Sequence, residues 1–105
     1  MAVPNRGEVW LVDLGYAAKT RPCLVLSVPT DDENARVLVT LIPHTTSVRG
    51  SEFEIQIPTR FLKPGAFDTQ NLISVSCSKL LRNLGSLTKV QMTAVEHVVR
   101  RWLGL

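Results

Sequence analysis

The chain has 105 residues, a length that holds one domain with a compact core and leaves a large share of its surface in water. With 45% hydrophobic and 20% charged residues it has the balance of a folded protein, and its apolar runs are strand-sized, well short of the ~18 residues that span a bilayer. A formal charge of +3 and a pI near 9.2 are compatible with a polyanionic partner but are shared by many proteins that bind none.

The opening Met1-Ala2-Val3-Pro4-Asn5 has neither the basic region nor the apolar run of an export signal, which points to a cytoplasmic protein. Val9-Trp10-Leu11-Val12 is a first strand-like run. Cys23-Leu24-Val25-Leu26 is a second, following a proline that belongs at the start of a strand or on a sheet edge. Val37 to Ile42, rich in β-branched residues, is a third. Between them Pro29-Thr30-Asp31-Asp32-Glu33-Asn34 has no apolar anchor and reads as a hairpin tip.

Phe53-Glu54-Ile55-Gln56-Ile57 alternates as a half-buried strand requires, and Ile73-Ser74-Val75-Ser76-Cys77 does the same with small hydroxyls on its outer face. The segment from Pro58 to Thr69 contains Pro64-Gly65 and reads as a crossing loop, with room for one helical turn near Phe61. The tail predicts the one helix. Thr88 and Gln91 have the spacing of a capping box, and Met92, Val95, Val99 and Trp102 recur at helical spacing with Val98 beside them. Arg100 and Arg101 complement the macrodipole in the last turn, and Gly104 suits the stop. Five or more short strands and a terminal helix predict a mainly β fold with α: a strongly bent antiparallel sheet or barrel carrying the helix.

The chemistry-bearing residues are few. No phosphate-cradling glycine loop, Ser-His-Asp order or metal-ligand spacing is present, so an enzyme built on this sequence is expected to work without metal or cofactor. Cys23 and Cys77 are too few for a disulfide framework and sit in apolar runs, where a free thiol behaves as a buried, inert core residue. Two segments stand out: Lys19-Thr20-Arg21-Pro22, entering the second strand, and Pro43-His44-Thr45-Thr46-Ser47-Val48-Arg49-Gly50, leaving the third. A hairpin centred on Asp32-Glu33 sets Arg21 opposite His44 with Thr45 diagonal to it, and Lys19 and Arg49 add positive charge nearby.

A guanidinium fork beside a hydroxyl suits a phosphodiester, and RNA brings its own 2′-hydroxyl as nucleophile. The bland alternative is that Arg21 is a solvated charge and Thr45-Thr46 ordinary turn chemistry. His44 reads either as a proton-transfer aid or as a hydrogen-bonded rim residue, and His97 as a partly exposed helix residue. Trp10 and Trp102 read as core or interface.

These segments together resemble a known family. Arg6-Gly7-Glu8 followed by Val9-Trp10-Leu11-Val12-Asp13-Leu14 resembles the opening of the MazF/PemK/Kid toxins. Lys19-Thr20-Arg21-Pro22-Cys23-Leu24-Val25-Leu26-Ser27 is similar to their Arg-Pro strand. Ile42-Pro43-His44-Thr45-Thr46, then Arg49-Gly50 and Phe53-Glu54-Ile55, is similar to their Pro-x-Thr-Thr segment and the strand after it. Leu80-Leu81-Arg82-Asn83-Leu84-Gly85-Ser86-Leu87 and the helix fit their C-terminal pattern.

The resemblance implies an SH3-like barrel that dimerises, cuts single-stranded RNA to leave a 2′,3′-cyclic phosphate, and is silenced by a cognate antitoxin protein. It implies catalytic roles for Arg21 and Thr45, with Thr46, His44, Lys19 and Arg49 as RNA-binding neighbours. Other readings of the same barrel are a non-catalytic toxin that binds a protein target such as gyrase, and a plain nucleic-acid-binding module. Two departures from the family stand out. Only Gly15 to Thr20 separates Leu14 from Arg21, without the acid that commonly precedes the arginine, so a more open groove is expected. The family's frequent Asp-Gln before a strand is replaced by Gln70-Asn71.

Overall fold

A computed structural model describes residues 3–15 and 19–105. Seven strands, β1 (Glu8–Asp13), β2 (Thr20–Val25), β3 (Leu38–Thr45), β4 (Glu54–Ile55), β5 (Ala66–Asp68), β6 (Ile73–Ser76) and β7 (Leu80–Ser86), precede one helix, α1 (Lys89–Leu103). All pairings are antiparallel, in the order β4-β5-β3-β2-β1-β7, with β6 also on β3. The sheet is strongly bent and barrel-like without closing.

The expected strands are all present with shifted ends. The third begins at Leu38 and runs on to Thr45, while the Phe53–Ile57 strand shrinks to Glu54–Ile55. β5 and β7 lie in segments read from sequence as loop or left unassigned. No helical turn forms at Phe61; short 3-10 turns form instead at Thr69–Asn71 and Cys77–Lys79. The Phe61 ring packs against Gly85, where a Cβ would stand 2.5 Å from it. The expected open loop after Leu14 falls at residues 16–18, outside the described residues.

The alternation of each strand divides the apolar residues between two faces. Val9, Leu24, Ile42 and Phe67 face Met92, Val95 and Val99 of α1. Trp10, Val12, Cys23, Val25, Val39 and Leu41 face inward on the curled side, covered by Val75, Cys77 and Leu80. The helix has the predicted capping box at Thr88 and Gln91, and its C-cap Gly104 adopts φ 70°. Arg6 fastens it to the sheet by bonding both Glu96 and the carbonyl of Leu26.

Strand β3 organises the molecule. One of its edges holds β2 along Leu41–Pro43; the other holds β6 along Leu38–Leu41 and then β5 along His44–Thr45. Leu26 N donates to Thr40 O, so by the antiparallel alternation the Leu24–Ile42 pair is hydrogen-bonded and the Cys23–Pro43 pair is not. The missing N–H of Pro43 therefore faces the gap in which β3 passes from β6 to β5. By the same alternation Pro22 turns its nitrogen toward β3, one residue beyond the end of the β2–β3 ladder. Pro22 thus ends the β2–β3 ladder and Pro43 leaves a break on the other edge of β3, next to the end where Arg21 and Thr45 sit.

Candidate active site

The observed register is one step from the one expected for a hairpin centred on Asp32-Glu33. Cys23 pairs with Pro43, which puts Arg21 level with Thr45 rather than with His44. The physical reason is the connection itself. Residues 26–37 form a long loop with its own turn, in which Thr30 Oγ1 accepts from Asp32 N, Asp32 Oδ1 from Asn34 N, and Asp32 O from Ala35 N. Such a loop imposes no tight-turn symmetry on the strands.

Level residues of an antiparallel pair share a face. Arg21 and Thr45 therefore stand together at the rim beyond Cys23 and Pro43, and both line a groove of about 530 Å³. Ser47, Arg49, Glu54, Asp68 and Asn71 line the same groove, with apolar wall from Leu14, Pro43 and Ile73. The groove is open to solvent and holds both signs of charge. Among the described residues the ion pairs are Arg6–Glu96 and Arg101–Glu52, neither of which uses the guanidinium of Arg21 or Arg49.

Thr45 is half-buried, and its Oγ1 accepts the backbone N–H of Ser47 at 3.0 Å. A hydroxyl that already accepts keeps its own proton for donation to a ligand oxygen. Its position is set from behind by Gly65: a Cβ there would collide with Thr45 O and lie 2.7 Å from His44 Cε1. Only glycine lets this turn pass so close to β3.

His44 is not the rim residue the sequence suggested. It is 4% exposed and packs edge-on against Phe67, with ring centroids 5.0 Å apart. Its position in β3 turns it to the α1 side, although it contributes to the groove wall. Burial holds its pKa below the usual imidazole value, so the ring is neutral near pH 7.

Lys19 and Thr46 are exposed on the same end of the molecule, and neither is among the residues lining the groove. Lys19 has φ 56°, a left-handed conformation that turns the chain into β2; Lys19 O accepts from Leu14 N and Lys19 N donates to Gly15 O. The cysteines differ from expectation in one respect. Cys23 is fully buried, and burial pushes its thiol up to about 12 despite the charge of Arg21, whereas Cys77 is only half-buried.

Two carboxylates went unnoticed in the sequence. Glu54 Oε1 accepts the backbone N–H of Ser51 at 3.0 Å, and Arg49 N reaches Oε1 at 3.0 Å and Oε2 at 3.2 Å. Burial raises the Glu54 pKa, but the N–H donors of Arg49, Ser51 and Gly50 outweigh it and hold the carboxyl below its usual range. Asp68 caps the 3-10 turn by accepting from Gln70 N at 3.2 Å and from Asn71 Nδ2 at 2.6 Å. The signal for Glu54 was an acid shortly after Arg49-Gly50-Ser51; it was masked by the alternation that made Glu54 look like the wet side of a strand. Among the described residues no group of three or more His, Cys, Asp or Glu could hold a metal ion, and no helix is long and apolar enough to cross a membrane.

Comparison with known proteins agrees with this architecture. An endoribonuclease in complex with its cognate antitoxin from a mycobacterial species is 24% identical, with a TM-score of 0.82 over 97% of this chain and 96% of that one. The Mycobacterium tuberculosis toxin MazF-mt6 is 25% identical, with a TM-score of 0.80 over 93% and 97%. A MazE–MazF structure from Deinococcus radiodurans is 20% identical, with a TM-score of 0.81 over 100% and 99%. Residues 5–103 match the sequence model of the PemK-like, MazF-like toxins of type II toxin–antitoxin systems, and the chain belongs to that family.

Proposed function

We propose that this toxin is an endoribonuclease that cuts single-stranded RNA without a metal ion, using Arg21 and Thr45. The observation that carries this is the pair itself: a guanidinium in no ion pair among the described residues and a hydroxyl with a proton left to donate, level across two strands on one open groove.

The 2′-oxygen of the substrate attacks the adjacent phosphorus, and the bond from phosphorus to the 5′-oxygen breaks. One proton leaves the 2′-hydroxyl and one is taken up by the departing 5′-oxygen. The products are a 2′,3′-cyclic phosphate and a 5′-hydroxyl. Negative charge builds on the non-bridging oxygens, where the planar fork of Arg21 and the hydroxyl of Thr45 stabilise it. Neutral His44 in the groove wall, exposed Thr46 and the cations Lys19 and Arg49 complete the RNA-binding surface. The chain acts as a homodimer and is silenced by a cognate antitoxin, as the antitoxin-bound neighbours suggest.

The test is cleavage of a mixed-sequence RNA in EDTA, with the new ends analysed for cyclic phosphate. Arg21→Ala should remain folded and lose about 10²–10³ in rate, and Arg21→Lys should fail too because an ammonium lacks the fork. Near-wild-type cutting by folded Arg21→Ala would remove the proposal.

A further inference from the structure

Two carboxylates lining a groove meant for phosphates are an electrostatic liability unless their charge is engaged. Asp68 is taken up by its own turn. Glu54 is taken up by the loop between β3 and β4, and that loop carries Arg49.

The far end of the loop is tied by Arg101 Nη2 to Glu52 O and by Thr69 to Phe53 O, and side chains at its ends and apex hold the rest. Thr45 Oγ1 holds Ser47 N, Ser51 Oγ holds Phe53 N at 3.1 Å, and Glu54 holds both Arg49 N and Ser51 N. The only backbone bond spanning the turn is Glu54 N to Ser51 O at 3.1 Å. Of these contacts, those of Glu54 alone reach Arg49. Without them nothing else described ties the Arg49 backbone to the sheet, while its side chain still has to meet a ligand in the groove.

Resting on the RNA-cleavage reading, we propose that Glu54 is a positioning residue: its carboxylate fixes the backbone at Arg49 and Ser51 so that the Arg49 guanidinium presents itself to an RNA phosphate. Glu54 does not touch the substrate in this arrangement. Its negative charge is spent on backbone N–H groups, and the field offered to RNA is that of Arg21 and Arg49.

The experiment is a double-mutant cycle on steady-state cleavage of a short RNA spanning a mapped cut site, with thermal melts of each variant. Arg49→Ala and Glu54→Ala should each raise KM about tenfold, the scale of one charge-assisted contact, while kcat changes little. The double variant should be no worse than Arg49→Ala alone. Glu54→Gln should recover most of the loss, because Oε1 alone already accepts from both Arg49 and Ser51. A fully additive rise of about a hundredfold in the double variant, or a wild-type KM for Glu54→Ala, would overturn the proposal. So would loss of the cooperative melt in Glu54→Ala, which would make Glu54 a residue of the fold. If Arg49→Ala leaves KM unchanged while Arg21→Ala abolishes cutting, the positioning idea fails and the cleavage reading stands. If the wild-type protein cuts no RNA, both fall.

Discussion

The hydroxyl of Thr45 accepts the backbone N–H of Ser47 at 3.0 Å and keeps its own proton for another acceptor. Thr45 is thus both a turn-former and a donor. Thr45→Ala should lose both roles and cost far more in single-turnover rate than Thr46→Ala, whose side chain is exposed and outside the groove lining. Thr45→Ser, which keeps both, should retain most of the rate. Equal losses for the two alanine variants would show that the reacting hydroxyl has been misassigned.

Gly65→Ala should damage the site from behind. The added methyl would collide with Thr45 O and approach His44 Cε1. Overpacking of this kind typically costs about 1–3 kcal/mol. Melting and cleavage should fall together, and an unchanged melting temperature with full activity would show that the turn at Gly65 yields freely.

His44 makes stability depend on pH. Its folded pKa lies below 6.5 because burial disfavours the charged ring. As pH falls through 6.5 the unfolded chain takes up a proton that the folded chain refuses, so stability is lost between that point and the folded pKa, where the loss levels off. Glu8 and Glu54 have depressed folded values, so their share is present above 4.5 and is lost only at lower pH. Urea titrations at pH 7.5 and pH 5.5 should show a drop for the wild type that His44→Gln largely removes. An identical drop in the variant would assign it elsewhere.

The groove predicts competition between RNA and antitoxin. A disordered acidic segment can pair with Arg21 and Arg49 and also place apolar side chains against Leu14, Pro43 and Ile73, which a phosphate chain cannot do. RNA affinity should drop steeply with added salt because counterion release drives it, while the peptide keeps its apolar share. The isolated C-terminal segment of the cognate antitoxin should therefore inhibit competitively. Tight binding of that segment with unaltered RNA cleavage would place the two on different surfaces.

The parts of this molecule that rest on local chemistry were readable in the sequence. The helix from Thr88 to Gly104 combined cap, stripe and stop, and it formed with its capping box intact. The rim carrying Arg21 and Thr45 followed from where two strand-like runs begin and end. What was not readable depended on distant partners. β5 is three residues long and exists because β3 and β4 flank it. The register error came from a loop that is not a tight turn, and the burial of His44 depends on Phe67, contributed by another strand. The local sign at Glu54, an acid soon after Arg49-Gly50-Ser51, was hidden because an alternating strand and a loop clamp ask for the same residue at that position.

The strand β3 holds three neighbours and ends in Thr45. The proposed reacting hydroxyl is therefore not on a loop that can be remodelled apart from the body; it belongs to the last residue of the element on which the whole sheet is hung. Drift in this lineage should accordingly concentrate in segments outside the strand, such as the stretch from Thr46 to Ser51. A new cutting preference can arise there without disturbing the strand, whereas a substitution within β3 would be felt as an unfolding defect before it was ever felt as a change of target.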